Sequence, residues 1–229
     1  FQRPKPCAGR NESMPVQLPF VPDNHESRIR YYELLLKRDR LDDLPVYTLP
    51  QGYHFTMYRP GDRESWIAIE QSAKELHSRE QGLEVWSRYF GWNENELPER
   101  MVFIENDAGE KVATATAYFD IYGRDLSGAG WLHWVAVRRQ DQGKGLARPL
   151  IAHTLRLMHR LGSVRAKIPT QTNTWVACRL YLDLGFTPIP ENAVHSRDGW
   201  RIMRALTDHP ALRDFDPATP EEILNGEQK

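Results

Sequence analysis

Gly143-Lys144-Gly145 is the stretch whose residue types and spacing bear most directly on chemistry. Neither glycine has a Cβ, so a ligand can approach the backbone N–H groups there closely. A strand-like apolar run precedes the stretch and a helical period follows it, which puts the glycines at a helix N-terminus. The first turn of a helix carries N–H groups with no internal partner, and the macrodipole adds partial positive charge. Such a turn is an anion cradle, and a phosphorylated cofactor is its usual occupant; a glycine-rich entry serving only a tight turn is the plain alternative. Nucleotide motifs fit poorly. A P-loop requires Ser or Thr after the lysine and a glycine where Arg138 stands, and a dinucleotide fingerprint requires glycine at the position of Arg148. A second chemical stretch is TQTNTWVACRLYLDLGF, residues 170–186, in which Asn173, Ala177 and Tyr181 are four apart. That spacing sets them along one side of a helix.

Taken together, these motifs resemble the GCN5-related N-acetyltransferases, which move acetyl from acetyl-CoA to an amine. Gln142, Gly145 and Ala147 match the family's Q/R-x-x-G-x-G/A loop. Asn173, Ala177, Leu180, Tyr181, Leu184, Gly185 and Phe186 match its later N-x-x-A-x-x-L-Y-x-x-L-G-F pattern, in the right order. The resemblance implies that backbone groups of Trp134, Val135, Ala136 and Val137 hold the pantetheine arm. It implies too that the N–H groups of Gln142, Gly143, Lys144, Gly145, Leu146 and Ala147 take the pyrophosphate. Asn173 would contact pantetheine or an ordered water, or serve as a helix cap. Tyr181 occupies the general-acid position, with a core tyrosine as its bland reading.

Amide formation from a thioester needs a neutral amine, a stabilised oxyanion and a proton for the departing thiolate. Many relatives carry a glutamate where this chain has Trp131, which cannot accept a proton. His133 lies two residues on, and its unperturbed pKa near ~6.5 suits a base; a water chain or a distant carboxylate is the alternative. The implied function is acetyl-CoA-dependent N-acetylation of a primary amine on a small molecule or peptide, by direct attack on the thioester, with no metal. A non-catalytic acyl-CoA sensor or interaction module of the same fold is the runner-up.

The elements that must position these residues can be read on either side. Trp131 to Val137 alternates, with Trp131, His133, Val135 and Val137 on one face and Leu132, Trp134 and Ala136 on the other. Leu146, Leu150, Thr154, Leu157, Met158 and Leu161 carry the following helix, and Gly162 stops it. A short strand is predicted at 164–168, before the Asn173 helix. Upstream, Tyr53 to Tyr58 reads as a strand and Asp62 caps a helix. The apolar stripe of that helix, Trp66, Ile67, Ile69 and Ala73, is interrupted by Glu70, Gln71 and Lys74. A second helix, Leu83 to Phe90, carries Trp86, Tyr89 and Phe90, which with Trp92 form either an acceptor pocket or ordinary packing. Strands at 101–105 and 111–122 flank a turn at Asn106 to Glu110, and Ala113, Ala115, Ala117 and Phe119 offer a small-residue face to a helix. Phe186 to Ile189 and Gly199 to Leu206 read as an antiparallel C-terminal hairpin.

The expectation is therefore an α/β (α+β) fold, a mixed sheet of six to seven strands flanked by about four helices. Residues 1–48 read as an N-terminal arm, 49–207 as the transferase domain and 208–229 as a polar surface tail with a short helix from Pro220 to Leu224. The arm's Ile29, Tyr32, Leu35 and Leu36 suggest an amphipathic helix docked on its own domain or on a partner subunit, which leaves a homodimer open. Residues 1–13 read as expression-vector sequence ahead of a natural start at Met14, with precursor processing as the rival explanation. The 229 residues hold 30 basic and 31 acidic side chains, a net charge of −1, which gives no global attraction to nucleic acid or an anionic membrane. Two cysteines make neither a disulfide framework nor a zinc site, and no apolar run approaches the ~20 residues of a membrane span. A cytoplasmic setting is the expectation.

Overall fold

A computed structural model of the chain describes residues 15–118, 128–190 and 196–225. The reading of 1–13, and the extension of a strand from 119 to 122, lie outside the described residues. Among those described, the strands are β1 (Glu33–Arg38), β2 (Tyr53–Met57), β3 (Met101–Asn106), β4 (Lys111–Tyr118), β5 (Ala129–Val137), β6 (Arg165–Gln171) and β7 (Thr187–Pro188). They form one mixed seven-stranded sheet in the order β2-β3-β4-β5-β6-β1-β7. Every pairing is antiparallel except that of β5 with β6. The helices are α1 (Arg63–Ser72), α2 (Arg79–Tyr89), α3 (Leu97–Arg100), α4 (Ala147–Arg160), α5 (Trp175–Asp183), α6 (Ser196–Thr207) and α7 (Pro220–Ile223). None is long and apolar enough to cross a membrane.

Each face of the sheet has its own cover. Ala113, Ala115 and Ala117 of β4 join Leu132 of β5 in a core with Leu150, Ile151, Leu155 and Met158 of α4. The small side chains let that helix lie close, as their pattern predicts. On the other face Trp66, Ile67 and Ile69 of α1 and Trp86 of α2 pack with Phe103 and Tyr118. Trp66 meets Trp86, Phe90 and Trp134 edge to face at 5.2–5.5 Å between ring centroids, a favourable geometry for aromatic rings.

Three expectations are corrected. The arm does not form an amphipathic helix: residues 33–38 are β1, lying in the sheet between β6 and β7. Leu34 and Leu36 are both buried while Glu33 is exposed, a period of two. The C-terminal hairpin is also absent, because Gly199 to Leu206 lies within α6. β1 fills the place beside β6, and the buried Trp200, Met203 and Leu206 follow the helical spacing instead. Nor is the 208–225 segment a mere surface tail. Leu212, Ala218 and Ile223 are buried, and Leu224 bridges to Ile29. The short C-terminal helix does form, held by a capping box between Thr219 and Glu222.

Candidate active site

The parallel strands β5 and β6 pair only from Ala129 to Trp131 on β5 and from Arg165 to Lys167 on β6. Beyond Trp131 the two part, and a cleft of about 1080 Å³ opens between them. Its walls include His133 to Val137 of β5, Ile168 to Gln171 of β6, the loop and first turn of α4, the C-terminal end of α1, and Tyr181 of α5.

A bulge shapes the β5 wall. Thr116 of β4 pairs with His133 and Thr114 with Ala136, so two residues on β5, Trp134 and Val135, oppose one on β4, Ala115. Trp134 takes up the surplus in the left-handed region at φ 53°, unusual for a bulky residue. The simple alternation expected of β5 therefore breaks: Trp134 and Ala136 turn to the same face as His133, toward α1 and α2.

The glycine loop is held from both ends. Gln142 Nε2 donates to Val137 O at 3.0 Å, closing the loop on the strand. Buried Asp141 accepts from Arg138 Nε and Lys144 Nζ, each at 2.7 Å. Burial opposes its ionisation, but those two cations outweigh it and hold its pKa below the usual carboxylate range. Gly143 and Gly145 are both left-handed, at φ 76° and 80°. Among the described residues beyond the chain neighbours, no atom lies within 4 Å of where a Cβ would stand at Gly143, and at Gly145 only Pro50 Cγ does, at 4.0 Å. Backbone conformation rather than packing demands glycine here, and the space in front of the loop stays open. Leu146, at the N-cap of α4, makes no side-chain capping bond. A 14-residue helix thus presents an uncapped N-terminus to the cleft.

The acetyltransferase (GNAT) family model matches residues 64–186, more than half of the chain. The chain belongs to the GNAT acetyltransferase family. Mycothiol acetyltransferase of Pseudarthrobacter chlorophenolicus is 26% identical over 148 residues, which is 63% of this chain and 46% of that protein. The Streptomyces bingchenggensis protein of the same name is 27% identical over 146 residues, with the same two shares. The chain therefore spans about half the length of the curated relatives it matches. Among solved structures, a GCN5-related N-acetyltransferase from Sphaerobacter thermophilus superposes with a TM-score of 0.56 at 23% identity, covering 71% of this chain and 49% of that one. A GNAT-family acetyltransferase from Colwellia psychrerythraea gives 0.52 at 12%, covering 69% and 54%. At those identities the likeness concerns the fold.

The residues singled out from the GNAT motifs fall around this cleft, though not all are open to it. Tyr181 lines it, with its ring 6.1 Å from that of Phe186. Burial raises the phenol's pKa, and Glu75, Cys178 and Glu70 raise it further. His133 also lines the cleft, its ring 5.1 Å from Tyr118 and 6.0 Å from Tyr89. Burial lowers the imidazole from 6.5 to about 4, so it is a weaker proton acceptor than an exposed histidine. Asn173 is already engaged: its Nδ2 lies 2.9 Å from His25 Nε2, and its buried Oδ1 has no partner among the described residues. It precedes α5 by two residues and does not cap it, since the N-cap is Thr174. Of the aromatic group on and after α2, Trp86 and Phe90 are core, Trp92 is 55% exposed, and Tyr89 lines the cleft.

Two features escape the motif reading. Residues 23–25 cross the mouth of the cleft. Asn24 Nδ2 donates to Gln142 Oε1 at 2.7 Å, the Trp175 indole donates to Asp23 O at 3.0 Å, and Asp23 pairs with Lys74 and Arg139. The other is Glu70, a buried acid on the cleft-lining end of α1. Its signal in the sequence is its interruption of the α1 stripe at a position whose helical spacing points inward.

Proposed function

We propose that the chain is an acetyl-CoA-dependent N-acetyltransferase whose acceptor is a primary amine on a small molecule or peptide. The observation that carries this reading is the splayed β5–β6 cleft with the open glycine cradle on one wall and Tyr181 on the other. The cradle suits a diphosphate: paired left-handed glycines, open space and an uncapped helix N-terminus are what such an anion needs. Backbone N–H groups from Gly143 to Ala147 would hold it, that of Gln142 already donating to Arg139 O at 3.3 Å. The backbone of Trp134 to Val137, displaced by the bulge, would align the pantetheine arm. When bound, acetyl-CoA supplies an activated acyl group on a thiol leaving group.

The chain's own residues divide the remaining work. An N–H on β5 beside the bulge polarises the acyl oxygen. Tyr181, with its raised pKa, stays protonated at neutral pH and can donate to the sulfur. His133, neutral over the same range, accepts a hydrogen bond from the entering nitrogen but holds a proton weakly.

The test is calorimetry with CoA on the parent and on Gly145→Glu, followed by thiol release from acetyl-CoA in the presence of amines. The variant puts strain at a left-handed residue and a negative charge in the cradle, so CoA binding should be lost. Unchanged binding would remove the cofactor assignment. Binding without transfer to any amine would leave the non-catalytic binding module.

A further inference from the structure

Glu70 is 1% exposed, and neither of its carboxyl oxygens has a hydrogen-bond partner among the described residues. The charged group that acts on it is a second acid, Glu75, so burial and like charge together raise its pKa well above the usual range. Burying an ionisable group without a partner is costly, and folds keep such groups mainly where they meet a ligand or a reaction.

Its position is fixed by two anchors. One turn earlier on the same face of α1, Trp66 packs against Trp134 of β5. Two residues later, Ser72 Oγ accepts from Arg139 N at 2.9 Å, just past the end of β5. Helix and strand therefore run side by side in the same sense, and Glu70 lies along the C-terminal half of β5, past the bulge. Across the cleft, the Tyr181 phenol feels both Glu70 and Glu75. Glu75 is half-buried at the rim, where Gln171 Nε2 reaches it at 3.5 Å. Burial raises the Glu75 carboxyl as well, with His25 and Gln171 acting in the opposite sense. What this part of the cleft offers a ligand is therefore two carboxyl groups whose ionised forms a cation would favour.

We propose that the acceptor enters as a primary ammonium drawn in by Glu75, and that Glu70 takes the proton it must lose before attack. This rests on the transferase reading and names its substrate class and its proton acceptor. Glu70, protonated in the empty cleft, gives its proton to solvent as the ammonium docks beside it. The N–H bond of the ammonium then breaks, its electron pair stays on nitrogen, and the proton passes to the Glu70 carboxylate. The neutral nitrogen then bonds to the acyl carbon as the carbon–sulfur bond breaks. Sulfur receives a proton from Tyr181, and the surplus proton of the new amide nitrogen restores the phenol through solvent. Glu70 ends protonated, as it began, so ammonium and thioester give amide, thiol and the one proton released on docking.

The test compares benzylamine, charged at neutral pH, with 4-methoxyaniline, uncharged there, on the parent, Glu70→Gln and Glu75→Gln. In Glu70→Gln, kcat/KM for benzylamine should fall about 10²-fold or more, the usual scale for losing a general base. For 4-methoxyaniline it should fall less than about threefold, because that amine has no proton to give up before attack. Glu75→Gln should raise KM for benzylamine while kcat is kept. Equal losses on both amines, or no loss on either, would overturn the proposal. Calorimetry supplies readouts that need no turnover. CoA should bind Glu70→Gln as it binds the parent, which keeps a failed cofactor site distinct from a failed Glu70 role. Benzylamine should bind the CoA-loaded parent at least about tenfold more tightly than either variant, as expected when a charged partner is removed from a cation site. If the parent binds CoA yet acetylates neither amine, the transferase reading fails and the proposed proton transfer falls with it.

Discussion

At the residue scale, two side chains of the cleft have pKa values moved in opposite directions for one reason. Burial disfavours charge, so it raises the Tyr181 phenol and lowers the His133 imidazole, and both are neutral at pH 7. The first keeps its proton ready to give, whereas the second takes one poorly. Tyr181→Phe preserves the ring and its contact with Phe186 while removing the donor. Its turnover should fall by roughly 10²-fold with CoA affinity nearly unchanged, measured by thiol release beside calorimetry. Full activity in the variant would give the proton to another donor. Tyr181 and the glycines were legible because their motifs are local, a few residues carrying both spacing and chemistry. Glu70 was visible only as a flaw in an apolar stripe. No rule of spacing tells a noisy helix from a buried acid until the helix has been packed on its strand.

At the element scale, the errors share a physical source. Glu-Leu-Leu-Leu-Lys-Arg is rich in good helix formers, and Ile29, Tyr32 and Leu36 have helical spacing. As β1, however, the segment has both edges hydrogen-bonded, with Leu36 opposite Ile168 on one side and Pro188 on the other. A place between two strands overrides propensity, and only long-range pairing reveals that place. The α6 error follows from it, since the sheet needs no further strand from the C-terminal part. The bulge at Trp134 was likewise hidden, because its cause is the register with β4 and not the residues of β5. α6 also approaches β1 closely. A Cβ at Gly199 would lie 2.8 Å from Leu34 Cδ2 and 2.9 Å from Tyr32 Cβ. Alanine there gains about 1 kcal/mol of helix propensity, but overpacking typically costs about 1–3 kcal/mol. Tyr32 Cβ moves only with its backbone, so Gly199→Ala should lower the melting temperature. A rise would mean that α6 shifts freely on β1.

At the scale of the whole molecule, the buried groups should leave their mark on stability as a function of pH. His133 is held near 4 when folded and returns to 6.5 when unfolded. Its contribution is complete above pH 6.5 and is lost as pH falls toward 4, on the order of 3 kcal/mol across that window. Glu26 adds a second acid-labile term. Hydrogen bonds from the Arg28 guanidinium hold it at about 2 against an ordinary 4.5, so its stabilisation is present above 4.5 and fades as pH drops toward 2. Glu70 acts in the opposite sense. Its folded pKa is raised, so folding favours the protonated form, and the chain loses stability as pH climbs from 4.5 toward that raised value. Between 4.5 and 6.5 the His133 and Glu70 slopes therefore oppose each other in the parent. Melting curves from pH 4 to 8 on three proteins should separate them. His133→Gln should lose less stability than the parent on going from 6.5 to 4, whatever its offset at pH 7. Glu70→Gln should match the parent near pH 4.5 and gain on it steadily toward pH 7, since glutamine keeps the shape and never ionises. A constant gap between Glu70→Gln and the parent would mean that the carboxyl ionises in the folded protein as readily as in water. A negative charge would then stand in the cleft before any amine arrives, and the cation would find its partner already ionised.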